Sequence, residues 1–300
     1  MHTIQVGNRQ LNIKDYYCAA DDENYICRAD NKLWLYINIT DICNARCPFC
    51  VNPSRSGGNN PFSVEKLRNT LRMAAPFIYG VSITGGEPML NPTLVDETAA
   101  VVTEILGPYV ELDLVTNGTN IGDILKLKSL RRFEGVHISR HRIDDADNAA
   151  LFGAKVPNIR AIKNVISELS DPAQIVLNCV MQKGGVCSAA DMAEYLEMAA
   201  WAGVRNTSFV GMFLANSFCR ETYVALADID LSKDARFRIW NKFNDYEYCR
   251  CCNGDYKATN GYVRFYYRYP GNKKAEYCRQ LVYTADNRLL DGFGGTEITF

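Results

Sequence analysis

Six apolar runs recur along the chain with room for a helix between successive members: residues 33–39, 78–84, 110–116, 135–139, 174–181 and 205–212. Their length and their valine, isoleucine and leucine content read as buried strands. Between them, residues 64–75, 93–106, 159–169 and 189–202 repeat apolar positions at helical spacing, and Ser188-x-x-Asp191 before the last has the form of a capping box. Strand alternating with helix predicts an α/β protein with a parallel sheet. Six such units predict a partial (β/α)6 TIM-like barrel, with its functional loops at the C-terminal ends of the strands.

From about residue 216 the pattern gives way to cysteine-rich and aromatic sequence. The stretch 262–269 reads as a strand ending in the turn Pro270-Gly271-Asn272, and 277–284 reads as the return strand of a hairpin. The expected organisation is an N-terminal extension (1–32), the barrel core (33–215) and a small C-terminal iron-sulfur module (216–300). No internal repeat or low-complexity segment is present.

With 300 residues and 47% hydrophobic content the chain has ample apolar surface for a core. Lys and Arg total 33 against 34 Asp and Glu, so there is no global field for gripping nucleic acid or an anionic membrane. The N-terminus lacks a basic segment followed by an apolar one, and no apolar run is long enough to span a bilayer, so a cytoplasmic protein is expected. Twelve cysteines are unusual where thiols stay reduced, and their clustering points to metal.

Three of them form Cys43-Asn44-Ala45-Arg46-Cys47-Pro48-Phe49-Cys50. This C-x3-C-x2-C spacing supplies a 4Fe-4S cluster with three thiolates where an electron-transfer cluster takes four, leaving one iron open to a substrate-like molecule. The plainer alternative is a zinc knuckle. The segment, with Phe49 before its last cysteine, resembles the signature of the radical S-adenosylmethionine (SAM) enzymes, which implies that the open iron takes SAM. Gly85-Gly86-Glu87-Pro88 resembles that family's second motif, whose backbone carbonyls and acidic side chain hold the SAM ammonium; read alone it is an ordinary turn. Asn117 in Thr116-Asn117-Gly118 and Ser139 match the next two loops. The resemblance assigns Ser139 to SAM contact, and Arg142 offers a planar guanidinium to the SAM carboxylate, against a reading as a solvated arginine. His137 and His141 read as structural or solvent-facing groups, Cys179 and Met181 as core.

The segment 278–289 resembles the second-cluster region of the GTP cyclases that begin molybdopterin synthesis. Those enzymes carry a third cysteine near the position of Asp291 or Gly292, where this chain has none, which disfavours GTP cyclisation. The thiols left for an auxiliary 4Fe-4S cluster are Cys251, Cys252 and Cys278, with Cys249 beside them and Cys219 or Cys187 to complete the set; a structural zinc is the alternative. The whole resembles radical SAM epimerases of natural-product pathways, of the type acting on neomycin C. That implies an aminoglycoside substrate, an external one-electron reductant and a thiol donor, for which Cys249 is the candidate. On an extended strand Cys249 and Cys251 point the same way.

A polycationic substrate calls for carboxylates, and Asp144, Asp145 and Asp147, or Asp21, Asp22 and Glu23, are available; solvated loops or helix caps are the competing reading. A radical enzyme that modifies a ribosomal peptide is the rival, although the residues before 33 are too few for a leader-peptide recognition domain. A small-molecule dehydrogenase and a metal-stabilised binding module are the remaining alternatives.

Overall fold

The structure is a computed structural model that describes residues 2–13, 32–52, 61–225, 228–239, 254–268, 278 and 280–300. Strands β1 (His2–Val6) and β2 (Arg9–Ile13) form an antiparallel hairpin. The six expected strands are all present as β3 (Leu33–Asn38), β4 (Ile78–Thr84), β5 (Glu111–Thr116), β6 (Gly135–Ser139), β7 (Ile175–Val180) and β8 (Asn206–Val210). They pair in sequence order and in parallel. Right-handed crossovers between strands that always advance in one direction put the connecting helices on one face.

Those helices include α1 (Val64–Ala74), α2 (Pro92–Leu106), α3 (Asp145–Phe152), α4 (Ile159–Glu168) and α5 (Ala189–Trp201). Ser188 caps α5 as expected: its hydroxyl accepts from the Asp191 N–H at 3.2 Å, and the Asp191 carboxylate accepts from the Cys187 N–H at 3.0 Å. The sixth helix, α6 (Ser217–Glu221), is a single short turn after β8. Among the described residues no helix is long and apolar enough to cross a membrane.

The C-terminal strands differ from expectation. They are β9 (Phe237–Ile239), β10 (Gly254–Ala258), β11 (Gly261–Arg268), β12 (Gln280–Tyr283), β13 (Leu289–Leu290) and β14 (Glu297–Ile298). Rather than forming a separate module, they extend both edges of the core sheet, in the order β14-β13-β12-β3-β4-β5-β6-β7-β8-β11-β10-β9. The predicted hairpin is therefore corrected: β11 runs parallel to β8, while β12 runs parallel to β3 at the other edge. Each covers a row of backbone N–H and C=O groups that the core would otherwise leave unpaired. The proposed turn at 270–272 lies outside the described residues. A real hairpin follows instead, β12–β13, whose turn puts Asn287 at a φ of 67°.

Candidate active site

All the motifs singled out in the first half of the chain emerge from the C-terminal ends of β3 to β6, so the parallel sheet collects them at one end. Thr40 to Ile42 lie against the Gly85-Gly86 turn after β4. The Gly86 N–H donates to the Thr40 carbonyl at 2.5 Å and the Glu87 N–H to the Ile42 carbonyl at 2.8 Å. Gly85 has a φ of +145°, and a β-carbon on Gly86 would stand 2.1 Å from the Ile42 carbonyl oxygen, so neither position admits another residue without moving the segment that leads into Cys43.

Glu87 is 1% exposed and turned inward. Its Oε1 accepts from the Met89 N–H at 2.9 Å and from the Thr116 hydroxyl at 2.5 Å, and its Oε2 accepts from the Asn117 N–H at 2.7 Å. Burial pushes this carboxyl above its ordinary range, against the three hydrogen bonds that favour the charged form. Here the carboxylate staples the β4 turn to the β5 turn. The backbone of Gly85 and Gly86 remains the part of the motif that faces the cysteine loop.

That loop is fastened from several sides. The Asn117 amide donates to Asn44 Oδ1 at 2.8 Å, the Arg46 N–H donates to the Phe152 carbonyl at 2.6 Å, and the Asn216 amide donates to the Pro48 carbonyl at 2.9 Å. Cys43, Cys47 and Cys50 are all partly exposed on it, and the Cys50 N–H donates to the Cys47 carbonyl at 3.2 Å. The thiols share one short, accessible turn but are not drawn together: no three His, Cys, Asp or Glu side chains among the described residues converge as a metal site.

Phe49 meets His141 edge to face, with ring centroids 4.9 Å apart, and His141 stacks on Phe152 at 5.1 Å. His141 Nδ1 accepts from the Val180 N–H at 3.0 Å, which leaves the ring proton on Nε2. Burial first, and then the Arg142 charge, lower its pKa to about 3, so the ring is neutral. The reading of His141 as structural holds, and its contacts say what it supports, since the ring wedges Phe49 and the cysteine loop against β7. Asn148, which the sequence reading missed, holds this segment by accepting from the His141 and Arg142 N–H groups at 2.8 and 3.2 Å.

Ser139 ends β6, partly exposed and adjacent to this assembly. Arg142 turns away from it. Its Nη1 donates to the His141 carbonyl at 3.0 Å, and its guanidinium packs on Gly185 in a cleft of about 450 Å³ whose lining includes Asp144, Asp147 and Glu194. Of the three aspartates expected to receive a polycation, two are committed elsewhere. Asp144 caps α3, accepting from the Ala146 and Asp147 N–H groups at 2.8 and 3.0 Å, and Asp145 pairs with Arg140 at 2.8 Å. Asp144 and Asp147 line the cleft, and Asp145 does not.

The auxiliary-cluster cysteines divide. Cys219 is fully buried in α6, with its backbone N–H capped by Asn216, and has the setting of a small core residue. Cys278 precedes β12, so it lies at the opposite end of the parallel sheet from the Cys43 loop. Its thiol donates to the carbonyls of Gln280 and Asp291, each at 3.4 Å, and burial pushes its pKa up to about 12, with Asp291 adding to the shift. Cys249, Cys251 and Cys252, with Asp21, Asp22 and Glu23, lie outside the described residues.

Residues 37–184, which span the cysteine loop, both glycine-bearing turns and Ser139, match the family profile of the Radical SAM superfamily. This chain carries a radical SAM domain. The cofactors of that family are a 4Fe-4S cluster and SAM, and the donor chemistry here fits them: three partly exposed thiols on one loop beside a partly exposed glycine turn. Once bound, they supply a carbon radical able to take hydrogen from an unactivated C–H bond.

Curated relatives include the GTP 3',8-cyclase of Aquifex aeolicus, 27% identical over 156 residues (50% of this chain, 48% of the relative). The probable GTP 3',8-cyclase of Thermococcus kodakarensis is 26% identical over 173 residues (56% and 53%). The chain spans about half the length of these relatives. Among solved structures, Streptococcus suis SuiB bound to S-adenosylmethionine superposes with a TM-score of 0.58 at 18% identity, over 89% of this chain and 62% of that one. SuiB bound to its precursor peptide SuiA gives 0.53 at 15%, over 87% and 59%. At such identity the likeness is one of fold.

Proposed function

We propose that this chain is a radical SAM epimerase acting on an aminoglycoside, built on a partial (β/α)6 barrel with a C-terminal iron-sulfur region. Cys43, Cys47 and Cys50 hold the SAM-binding cluster, Phe49 packs its loop, and the backbone of Gly85 and Gly86 with Asn117 and Ser139 receives SAM, while Arg142, named for the same role, sits in the neighbouring cleft against Gly185 and is the least suited to it. Glu87 positions these turns. Cys249 returns a hydrogen atom to the substrate. Cys251 and Cys252 are ligands of an auxiliary cluster; of the two others named for it, Cys219 is buried and Cys278 lies at the end of the sheet away from the cysteine loop, so both are less suited.

The observation that carries this reading is the stapling of the cysteine loop to the β4 and β5 turns through Glu87, Asn117 and Asn44, which assembles a radical SAM mouth from local hydrogen bonds. The chemistry balances in electrons and protons. With one electron from an external reductant, the cluster and SAM held by Cys43, Cys47 and Cys50 would supply the carbon radical that removes a substrate hydrogen, and the Cys249 thiol would give a hydrogen back to the opposite face. One further electron and a proton from the reductant pool would restore that thiol.

GTP cyclisation is the second reading, favoured by the names of the curated relatives. Against it, the cyclases' third C-terminal cysteine has no counterpart here, where Asp291 and Gly292 stand at its position. The deciding experiment incubates reconstituted protein anaerobically with SAM, reductant and neomycin C in deuterium oxide. Deuterium at an inverted carbon, abolished by Cys249→Ala with SAM cleavage retained, supports the epimerase. Cyclisation of GTP by the same preparation refutes it, and peptide modification would move the protein to the rival class.

A further inference from the structure

The cleft beside the mouth is built around Arg142. Against it lies the turn after β7, where Gly184 has a φ of +74° and Gly185 makes room for the guanidinium, since a β-carbon on Gly185 would collide with Arg142 Nη1. Two glycines therefore give this half-buried side chain its place. Its hydrogen bond goes to a backbone carbonyl, that of His141, and it forms no ion pair among the described residues. Burial lowers its pKa, a penalty that a bound anion would relieve.

The same segment carries a second cation. Arg140 is fully buried, donates through Nη2 to the carbonyl of Ile143, a residue of the cleft lining, at 2.6 Å, and leaves Nη1 without a hydrogen-bond partner. A buried donor in that state is uncommon. Asp145 pairs with Arg140 at 2.8 Å, so one carboxylate answers two guanidinium groups.

The rest of the lining has the opposite sign. Asp147 and Glu194 are exposed on it, and neither forms an ion pair among the described residues. Asp144 adds a third carboxylate, with its Oδ1 engaged in capping α3. Among the described residues no three such groups converge as a metal site, so the cation that suits them is one whose charges lie apart.

These charges select a ligand class. A doubly charged phosphate would face three carboxylates, and a simple polyamine would leave Arg142 unanswered. One anionic group with more than one cationic group matches the lining, and a planar carboxylate matches the guanidinium fork. A cleft of about 450 Å³ is at the small end of ligand pockets.

We propose that this cleft is a second ligand site, separate from that of SAM, for a small diamino acid: Arg142 takes the carboxylate, and Asp147 and Glu194 take the ammonium groups. The site stands independently of the epimerase reading.

The test is anaerobic equilibrium dialysis of L-ornithine, putrescine and pentanoate against the SAM-loaded holoprotein. Putrescine lacks the carboxylate of ornithine, and pentanoate lacks its amines. Ornithine should bind about tenfold or more tightly than either, the worth of a charge-assisted hydrogen bond. Arg142→Gln should bring ornithine down to the level of putrescine and leave putrescine no weaker. Gly185→Ala, which keeps every charge but displaces the guanidinium, should do the same. Asp147→Asn and Glu194→Gln should each weaken ornithine and putrescine together. SAM affinity and cluster absorbance, recorded for every variant, should hold throughout and so mark each loss as local. Ornithine that binds no more tightly than both controls, or with an affinity indifferent to Arg142→Gln, would overturn the proposal. A fall in SAM affinity in Arg142→Gln would overturn it too, by returning the guanidinium to the SAM site.

Discussion

On β5 the residues facing the helices are Leu112 and Leu114, and those between them are Glu111, Asp113 and Val115; on β7 they are Leu177 and Cys179, set against Val176, Asn178 and Val180. One face is packed with apolar groups that need only shape, while the other holds groups that need partners. A strand shifted by one residue would exchange the two faces, so the same leucines that build the core also fix which polar residues look into the mouth. The stability of the fold and the chemistry of the site are thereby written on alternate residues of the same strands.

The sharpest way to separate the faces is to truncate each. Leu114→Ala should cost about 2–5 kcal/mol of stability, because a fully buried side chain in a close-packed core leaves a cavity. Urea denaturation gives the number, and the fraction that stays folded should still bind SAM normally. A loss of SAM affinity in folded Leu114→Ala protein would mean that the two faces are not separable.

Glu87→Ala should produce the contrasting result. Its three hydrogen-bond donors, two of them backbone groups, would be left in a buried setting at about 1–3 kcal/mol each. Since the carboxylate fastens two turns of the mouth, SAM affinity should fall as well, by about tenfold or more, as when a group that orients a ligand's partners is removed. Equilibrium dialysis against SAM checks this, and unchanged affinity would reduce Glu87 to a core residue.

Much of this is legible in the sequence. The six core strands fall within two residues of their expected limits, because short apolar runs between helical segments have few other readings, and Ser188 announces its cap. The polar face is not legible. Ser82, Asp113, His137, Asn178 and Ser208 sit singly inside runs that are apolar on balance, and a strand buried on both sides hides its alternation. The false hairpin has a similar cause. Turn residues say that the chain reverses there, but the open edges of β3 and β8 decide which partner each following strand takes. Glu87 stands out as a motif residue, while its inward direction depends on Thr116 and Asn117, whose positions only the folded sheet brings within reach.

Acid should expose the rim of the mouth next. Unfolded histidine takes up a proton near pH 6.5, whereas native His141 refuses one until about pH 3. Between these values the unfolded state binds more protons, so stability falls as pH is lowered through the window, with a slope of up to about 1.4 kcal/mol per pH unit. Denaturation midpoints taken across that range in wild type and in His141→Gln, which can still accept from the Val180 N–H, should converge toward the acid end. Parallel curves would show that His141 is not held neutral.

The smallest effect belongs to the polar face itself. Ser208→Ala removes a fully buried hydroxyl that has no partner, so it should change stability by no more than about 0.5 kcal/mol and can raise it, since the desolvation cost of the hydroxyl disappears. A leucine on the opposite face, of no greater burial, is expected to cost several times as much when truncated. If Ser208→Ala instead destabilises the free protein as Leu114→Ala does, the hydroxyl belongs to the packing of the sheet, and the division of labour between its faces fails at that position.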